Sequence, residues 1–525
     1  MSETYDVVVV GGGAAGLSGA LSLSRARRSV LVIDAGEPRN APADHIHNYL
    51  GREGTPPAEL IAAGRAEVAN YGGQFRAGRV AAVTRDDDGF LLHLDGDGDG
   101  DGTVRARRLL VATGLVDELP DVPGVAQRWG RDVLHCPYCH GWEVQDRRIG
   151  VLATGPMAVH QAEMWRQWSD QVLLLLHDAP APDEEAAERL AARGIAVVPG
   201  PVAALEVTGD ALTGVRLADG RVVALDAVVV APRTVARAEP LVELGLAPEE
   251  VTVGGHVIGT QIPADDVGAT TVPGVWVAGN VADFRGQVIT SAAAGLMAGA
   301  AINADLIAED TRDAVAAYRQ VVATAFEEPA WEERYQSKPA VWSGRPNPQL
   351  VTEAAELTPG RALDVGSGEG ADAVWLAEQG WQVTAVDIST TALTRAAEHA
   401  EAVGVADRIE FTHADLREKP PAEQAYDLVS AQFMHLPPEP RQELFTRLAA
   451  AVAPGGVLLI VGHHPSDLWT PGHRMHMPDM MYTAEEVAAG LDPAEWDVRT
   501  AEARRRPGPE PDVTFHDAVL VARRR

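Results

Sequence analysis

The sequence predicts an α/β protein made of three-layer domains, and two kinds of observation predict it. A continuous apolar run that passes through a glycine or small-residue turn into a helical stretch begins at Tyr5, again at Ile149 and again at Arg361. Each is followed by a second apolar run, at residues 30–33, 172–176 and 382–386. Runs that are apolar on both faces belong to strands buried on both sides, and strand–helix–strand order makes neighbouring strands parallel. The second kind is the sulfur content: Cys136 and Cys139 are the only two cysteines, spaced C-x-x-C, between the first two units.

The 525 residues allow about three or four domains. A hydrophobic share of 46% with 23% charged residues fits a soluble globular chain. The formal net charge of -31 is spread along the sequence and argues against a nucleic-acid partner, which needs a basic face. Met1-Ser2-Glu3-Thr4 carries no basic leader, and no apolar run of membrane-spanning length is read, so a cytoplasmic protein without membrane contact is expected. A lasting structural disulfide is disfavoured there, which favours a cysteine pair that cycles.

In chain order, residues 5–10 form the first strand, Gly11-Gly12-Gly13-Ala14-Ala15-Gly16 the turn, residues 17–25 a helix, and Val30-Leu31-Val32-Ile33 the second strand, ended by Asp34. This is a dinucleotide fingerprint. Gly11 permits the tight turn, Gly13 admits a pyrophosphate to the backbone, Gly16 lets the helix pack on the strand, and Asp34 accepts from a ribose hydroxyl. The DG repeat of residues 95–102 resembles a calcium loop only in composition, since the closing glutamate is missing; a hairpin turn between strands 90–94 and 103–106 is expected. Residues 109–114 read as a further strand ending in Ala112-Thr113-Gly114, and residues 118–124 as a crossover.

Cys136-Pro137-Tyr138-Cys139-His140 follows. A zinc half-site needs two more ligands, and none follows at ligand spacing. C-x-x-C-H is also the c-type haem attachment pattern, and two buried core thiols are a third reading. A redox dithiol is favoured, because a two-residue spacing closes a small, reducible disulfide loop. His140 beside it is a candidate acid–base group. In the second unit the turn is Ala153-Thr154-Gly155-Pro156-Met157-Ala158. Its first glycine is replaced, Pro156 removes an N–H, and His177-Asp178-Ala179 supplies no arginine for a 2′-phosphate, so NADPH binding is left open. Strands at 228–231 and 273–280 and a helix at 290–306 return the chain to the first domain.

These residues resemble the low-molecular-weight thioredoxin reductase family over roughly the first 320 positions. The likeness rests on the fingerprint, the Ala112-Thr113-Gly114 turn, the inserted C-x-x-C, and Val277-Ala278-Gly279-Asn280 followed by Gly286-Gln287-Val288. It implies FAD held by Gly11, Gly13, Ala14, Ala15, Gly16, Asp34, Asn40, Asn48, Ala112, Thr113, Gly114, Gly279, Asn280, Gln287 and Val288. It also implies Cys139 facing flavin C4a, Cys136 exchanging with substrate, and a homodimer. The family's closing Asp is Asn280 here, and its acid after the second cysteine is His140. With the altered second turn, these departures resemble the dithiol oxidases of gliotoxin and holomycin biosynthesis.

Residues 327–350 join the halves and are too aromatic for a free linker; Trp331-Glu332-Glu333-Arg334-Tyr335 reads as helical and Trp342-Ser343-Gly344 as extended. Then Asp364-Val365-Gly366-Ser367-Gly368-Glu369-Gly370, Asp387 at the end of the next strand, Ala414-Asp415-Leu416, the strand at Tyr426 and Pro454-Gly455-Gly456 come in order. The set resembles the class I S-adenosylmethionine methyltransferases, of the tellurite-resistance and thiopurine type. That implies S-adenosyl-L-methionine held by Asp364, Gly366, Gly368, Gly370, Asp387 and Asp415. His463, His464, His473, Met475, His476, Met477, Met480 and Met481 show no regular ligand spacing, so no metal is assigned and a Met-lined lid is expected. Thr483 and Glu486 form a capping box.

The expected organisation is therefore α/β: two Rossmann-like FAD/NAD(P)-type domains (1–117 with 251–322, and the insertion 118–250) followed by a class I methyltransferase Rossmann-like domain (328–525). The expected function is thiol-disulfide oxidoreduction plus methyl transfer to a small molecule, with a small dithiol or disulfide and a small methyl acceptor as partners. A thioredoxin-like protein with NADPH, or a redox-sensing module that gates the methyltransferase, remain open.

Overall fold

A computed structural model describes residues 3–95, 102–470, 478–507 and 512–525. The chain divides into two compact units, Met1–Thr311 and Arg312–Arg525.

In the first unit the fingerprint strands Thr4–Val10 and Val30–Asp34 pair in parallel, with Val7 opposite Val30 and Val10 opposite Ile33. They lie in a seven-stranded sheet with Gln74–Ala77 outside Val30–Asp34 and Thr103–Val111 on the other flank. The sequence reads two strands at 103–106 and 109–114; they are one. Arg107 and Arg108 interrupt the apolar pattern, yet both guanidiniums find Glu309, and Arg108 also Asp305, so the strand runs on. One edge pairs with Thr4–Val10, while the other is antiparallel to Gly89–Leu94 and then parallel to Val275–Val277. The DG repeat between those hairpin strands falls at residues 96–101, outside the described residues.

Leu115–Glu118, which reads as the approach to a crossover, is a strand paired antiparallel to Arg233–Ala236. Through these two strands the chain leaves and returns. Between them lies a five-stranded parallel sheet, ordered Ala196–Val198, Val172–Leu175, Ile149–Leu152, Ala227–Val229, Val133–Leu134. Residues 288–311, the first part of the helix Val288–Thr324, end the unit. By length and composition it could cross a membrane, against the expectation that no such run exists. Its face of Ser291, Gly295, Ala298, Gly299, Ile302 and Leu306 is buried. A Cβ on Gly295 would lie 1.9 Å from the carbonyl oxygen of Ala15, and one on Gly299 2.8 Å from that of Gly19. Backbone contacts this close are those of a helix packed on the helix Ala14–Arg25.

The second unit is one seven-stranded sheet. Ile409–His413, Gln382–Asp387, Arg361–Val365, Tyr426–Gln432 and Val452–His463 are parallel, then Thr514–Arg524 and Trp496–Pro507 add antiparallel. The aromatic joining segment is helical over Glu328–Gln336 and buries Tyr335 in this unit. Glu369, in the glycine loop, accepts the backbone N–H groups of Val341 and Trp342. The Thr483–Glu486 capping box is present. Met480 and Met481 are buried, so they are not lid residues. His473, Met475, His476 and Met477 lie outside the described residues.

Gly295→Ala should destabilise the first unit by about 1–3 kcal/mol, because the helix must move off Ala15. Thermal unfolding followed by circular dichroism reads this as a lower Tm, while an unchanged Tm would mean the helix contact is slack.

Candidate active sites

A cavity of about 1220 Å³ runs through the first unit from Asp34 to the cysteine pair. Ordinary small-molecule pockets occupy roughly 300–1,000 Å³, so this one has the size for a dinucleotide. Gly11 adopts φ +109°, and a Cβ there would meet the Ala112 carbonyl oxygen at 2.4 Å. Around Gly13 a Cβ would meet nothing within 4 Å, which leaves the backbone open to a ligand. Gly16 does not line the cavity; a Cβ on it would lie 1.9 Å from the Gly11 carbonyl oxygen, so it serves helix packing. Ala14, Ala15, Asn40, Thr113, Gly114 and Gly279 are on the wall, as are Ala112, Gln287 and Val288. Asp34 accepts the Gly12 N–H at 3.1 Å.

At the other end Cys136 caps the helical turn Pro137–His140, its carbonyl accepting from the N–H groups of Cys139 and His140. Proline at the first helical position fits, since that N–H would have no partner. Both thiols are free and half-buried. The Cys139 thiol donates to Cys136, and this bond, with the N–H groups of Cys139 and Tyr138 and the charge of Arg39, brings Cys136 down to about 7 against burial. The same bond and burial push Cys139 well up. Cys136 is thus the thiolate and Cys139 the thiol. Burial lowers the pKa of His140, with Glu143 opposing and His47 adding, so it is a neutral imidazole able to take a proton.

Asn48 is where the structure departs from the expected flavin contact. It has φ +59°, is not among the residues lining the cavity, and its amide donates to the Tyr138 carbonyl at 2.5 Å. Through that bond it holds the cysteine loop. Asn280 donates to the carbonyls of Asp283 (3.0 Å) and Gly286 (2.8 Å) and accepts from Arg39 at 3.2 Å. A carboxylate there could make only the last of these. Arg39, which sequence reasoning missed, also grips Asp117 with two bonds, at 2.8 and 2.7 Å. Nothing but its rarity as a cation in an acidic stretch marked it.

The second turn keeps its strand–helix frame, with the helix beginning at Ala158. At the tip of Val172–Leu175, His177 has φ +50° and accepts the Val202 N–H at 3.0 Å, next to Asp178 at 3.1 Å. That ribose-side corner carries an acid and a committed imidazole.

In the second unit Gly366, Gly368 and Gly370 all have positive φ, so the loop after Arg361–Val365 requires glycine. Asp387 accepts the N–H groups of Gly368 and Ser389, both at 2.9 Å. Asp364 is fully buried, and burial with Asp372 and Asp387 nearby pushes its carboxyl well up. Burial also raises Asp372 to about 6. Among the described residues, Asp364 Oδ2, Ser367 Oγ and Gln432 Oε1 are buried without a partner. All three stand at the glycine loop or the end of the neighbouring strand, where Asp364 lies opposite Ser430. Buried polar atoms left open cost about 1–3 kcal/mol each, so they suit a cradle for a polar ligand. Asp415, expected to take an adenine amine, is held by Arg417, which donates its backbone N–H at 2.8 Å and its guanidinium at 2.6 Å. The i to i+2 spacing lets one residue satisfy both oxygens.

Comparison with known proteins places both halves. The pyridine nucleotide-disulphide oxidoreductase family profile matches residues 5–299, and a methyltransferase domain profile matches residues 362–456. Thioredoxin reductase sirT of Leptosphaeria maculans is 30% identical over 322 residues, 58% of this chain and 95% of that protein. Thioredoxin reductase tcpT of Claviceps purpurea is 37% identical over 182 residues, 33% of this chain, and there the match spans only 56% of the relative. The crystal structure of HlmI is similar at 45% identity and TM-score 0.56, over 61% of this chain and 99% of that one.

Alkylation by iodoacetamide in the reduced protein should occur at Cys136 first, with a rate that rises through about pH 7. Arg39→Ala removes a positive charge and should move that midpoint upward. Mass spectrometry of the labelled peptide checks both; preferential labelling of Cys139 would reverse the assignment of thiolate and thiol.

Proposed function

Since the chain belongs to the pyridine nucleotide-disulphide oxidoreductase family and carries a methyltransferase domain behind it, we propose that it is a bifunctional enzyme of small-molecule sulfur chemistry. The first unit would oxidise a small dithiol, with FAD in the cavity and oxygen as final acceptor. The second would transfer a methyl group from S-adenosyl-L-methionine to a small thiol. The observation that carries the first part is that Cys136, Cys139 and His140 line the same cavity as the glycine fingerprint, while the second turn offers Ala153 and Pro156 in place of a phosphate-binding loop.

The residues fit this chemistry. A substrate thiol gives its proton to His140 and attacks the Cys136–Cys139 disulfide. Its second thiol then displaces Cys136, whose low pKa makes it a good leaving thiolate. The substrate leaves as a disulfide and the cysteines as a dithiol, a two-electron, two-proton exchange. Bound FAD supplies the acceptor for those two electrons. Arg39 holds Cys136 as thiolate, and Asn48 holds the loop that carries both sulfurs.

A second reading is favoured by the names of the relatives: an NADPH-dependent reductase that serves a thioredoxin-like protein. Tyr138 and Trp142, both exposed beside the cysteines, would suit such a partner. We also propose a homodimer, since Ile289, Leu296, Met297 and Ile307 leave an exposed apolar face on Val288–Thr324.

Under argon, a simple dithiol should bleach the flavin absorbance while NADPH and NADH leave it unchanged. Rapid bleaching by NADPH would restore the reductase reading. With oxygen-free dithiol and S-adenosylmethionine, a methyl thioether should form; methylation of oxygen or nitrogen nucleophiles alone would break the link between the halves.

A further inference from the structure

Two stacked imidazoles stand at the end of the sheet of the second unit, and the chemistry above gives them no task. His463 is the last residue of Val452–His463, which lies beside Tyr426–Gln432 with Gln432 opposite Val461. In open α/β sheets ligands bind outside the carboxyl ends of the strands. His435, just past that neighbouring strand, accepts the backbone N–H of His463 at Nε2, 3.0 Å away. A neutral His435 must then carry its proton on Nδ1. The two rings are 4.7 Å apart and within 5° of parallel. Phe433 lies against His463, 4.8 Å between ring centres. Phe433 has φ +57°, a left-handed conformation costly for an aromatic residue. That bend sets Met434 against the glycine loop, where a Cβ on Gly366 would lie 2.6 Å from its sulfur. His435 is buried and His463 half-buried. The strained turn therefore seats Met434, the residue before His435, against the loop that the methyl donor would occupy.

We propose that His463 takes the proton of the methyl acceptor, a small thiol, and that His435 is the positioning residue that fixes its backbone and ring. This deepens the methyl-transfer reading and rests on it. The S–H bond of the acceptor breaks and its proton passes to the His463 imidazole. The sulfur bonds to the methyl carbon as that carbon's bond to the donor sulfonium breaks. The products are a methyl thioether, S-adenosylhomocysteine and a proton that His463 returns to water. A small thiol is largely protonated near neutral pH, where the thiolate is the nucleophile, so a base whose ordinary pKa lies near neutrality, such as an imidazole, supplies what the transfer lacks. Two of the described groups near His463 are a buried phenol and a paired guanidinium. Tyr482 is buried 6.0 Å from the His435 ring with its hydroxyl on the Val461 carbonyl. Arg506 sits over Phe433 at 5.7 Å but is paired with Asp517, which lies opposite His463 in register.

The test uses the full chain under argon, with dithiothreitol as acceptor and S-adenosylmethionine as donor. His463→Gln should slow methylation at pH 7 by about tenfold to a hundredfold and recover most of the rate near pH 9.5, where the thiol ionises unaided. In the dead-end complex with S-adenosylhomocysteine, wild-type protein should raise the thiolate absorbance of bound dithiothreitol and His463→Gln should not. Calorimetric affinity for S-adenosylhomocysteine should stay within about twofold, which separates the role from a folding defect. His435→Gln, whose amide oxygen still accepts the His463 N–H, should keep most of the rate, and His435→Leu should lose it. An unchanged rate and thiolate signal in His463→Gln overturns the proposal, as does a loss equal at both pH values. A wild-type protein that methylates no thiol overturns the thiol reading beneath it, an outcome distinct from an active wild type with an equally active variant.

Discussion

Backbone meets backbone around Ala15, and the first unit depends on that contact. Gly16 brings the start of one helix onto the Gly11 carbonyl, Gly295 brings a second helix onto the Ala15 carbonyl, and a Cβ on Gly279 would lie 2.8 Å from the Ala15 side chain. No larger residue fits these places. The result is that the fingerprint turn, the Ala112-Thr113-Gly114 turn and the Gly279-Asn280 turn, far apart in sequence, wall one cavity. The helix N–H groups then point into a space that a pyrophosphate can enter.

Within that cavity Arg39 is the cation that acts on both cysteines. Arg39 is tied to Asp117 and Asn280, and its charge lowers both cysteine pKa values. Asn280 matters because an amide both donates to two loop carbonyls and accepts from Arg39. A carboxylate would lose the two donations and neutralise the guanidinium. With the amide, Asp117 is the carboxylate that Arg39 grips, and positive field remains to favour a thiolate at Cys136. The internal bond from Cys139 does the rest, since a thiol that gives its proton toward its neighbour cannot itself ionise.

The second unit solves a related problem with the opposite balance. Its glycine loop is closed from above by Tyr335 and Trp342, which approach where a Cβ on Gly368 would be, at 2.9 and 3.2 Å. Glu332 joins that segment to Ser389 and Thr391 and is held near 2 by their hydroxyls. Behind the loop three carboxyls, Asp364, Asp372 and Asp387, are buried together and all are pushed up. An acidic, partly unpaired interior suits a donor that brings its own positive charge.

The fingerprint strands, the two glycine loops, the cysteine pair and the capping box were legible in the sequence because each is a local pattern. Apolar runs, glycines with positive φ and short ligand spacings impose their constraint within about ten residues. The rest depended on partners that no local pattern specifies. Arg39 meets Asp117 across 78 positions and Asn280 across 241, and Asn48 meets the Tyr138 carbonyl across 90. Arg107 and Arg108 read as a break between strands until Glu309 compensates them across 202 and 201 positions. Asp415 reads as a cofactor contact, yet Arg417 holds it, and His463, read with a Met-lined lid, meets His435 across 28 positions. The sequence by itself determined the buried parallel strands and the glycine turns that follow them, since backbone sterics and burial act locally, but not the edge strands such as Leu115–Glu118. Only the tertiary structure decided which charges meet and which side chains face the cavity, since those follow from how distant segments pack.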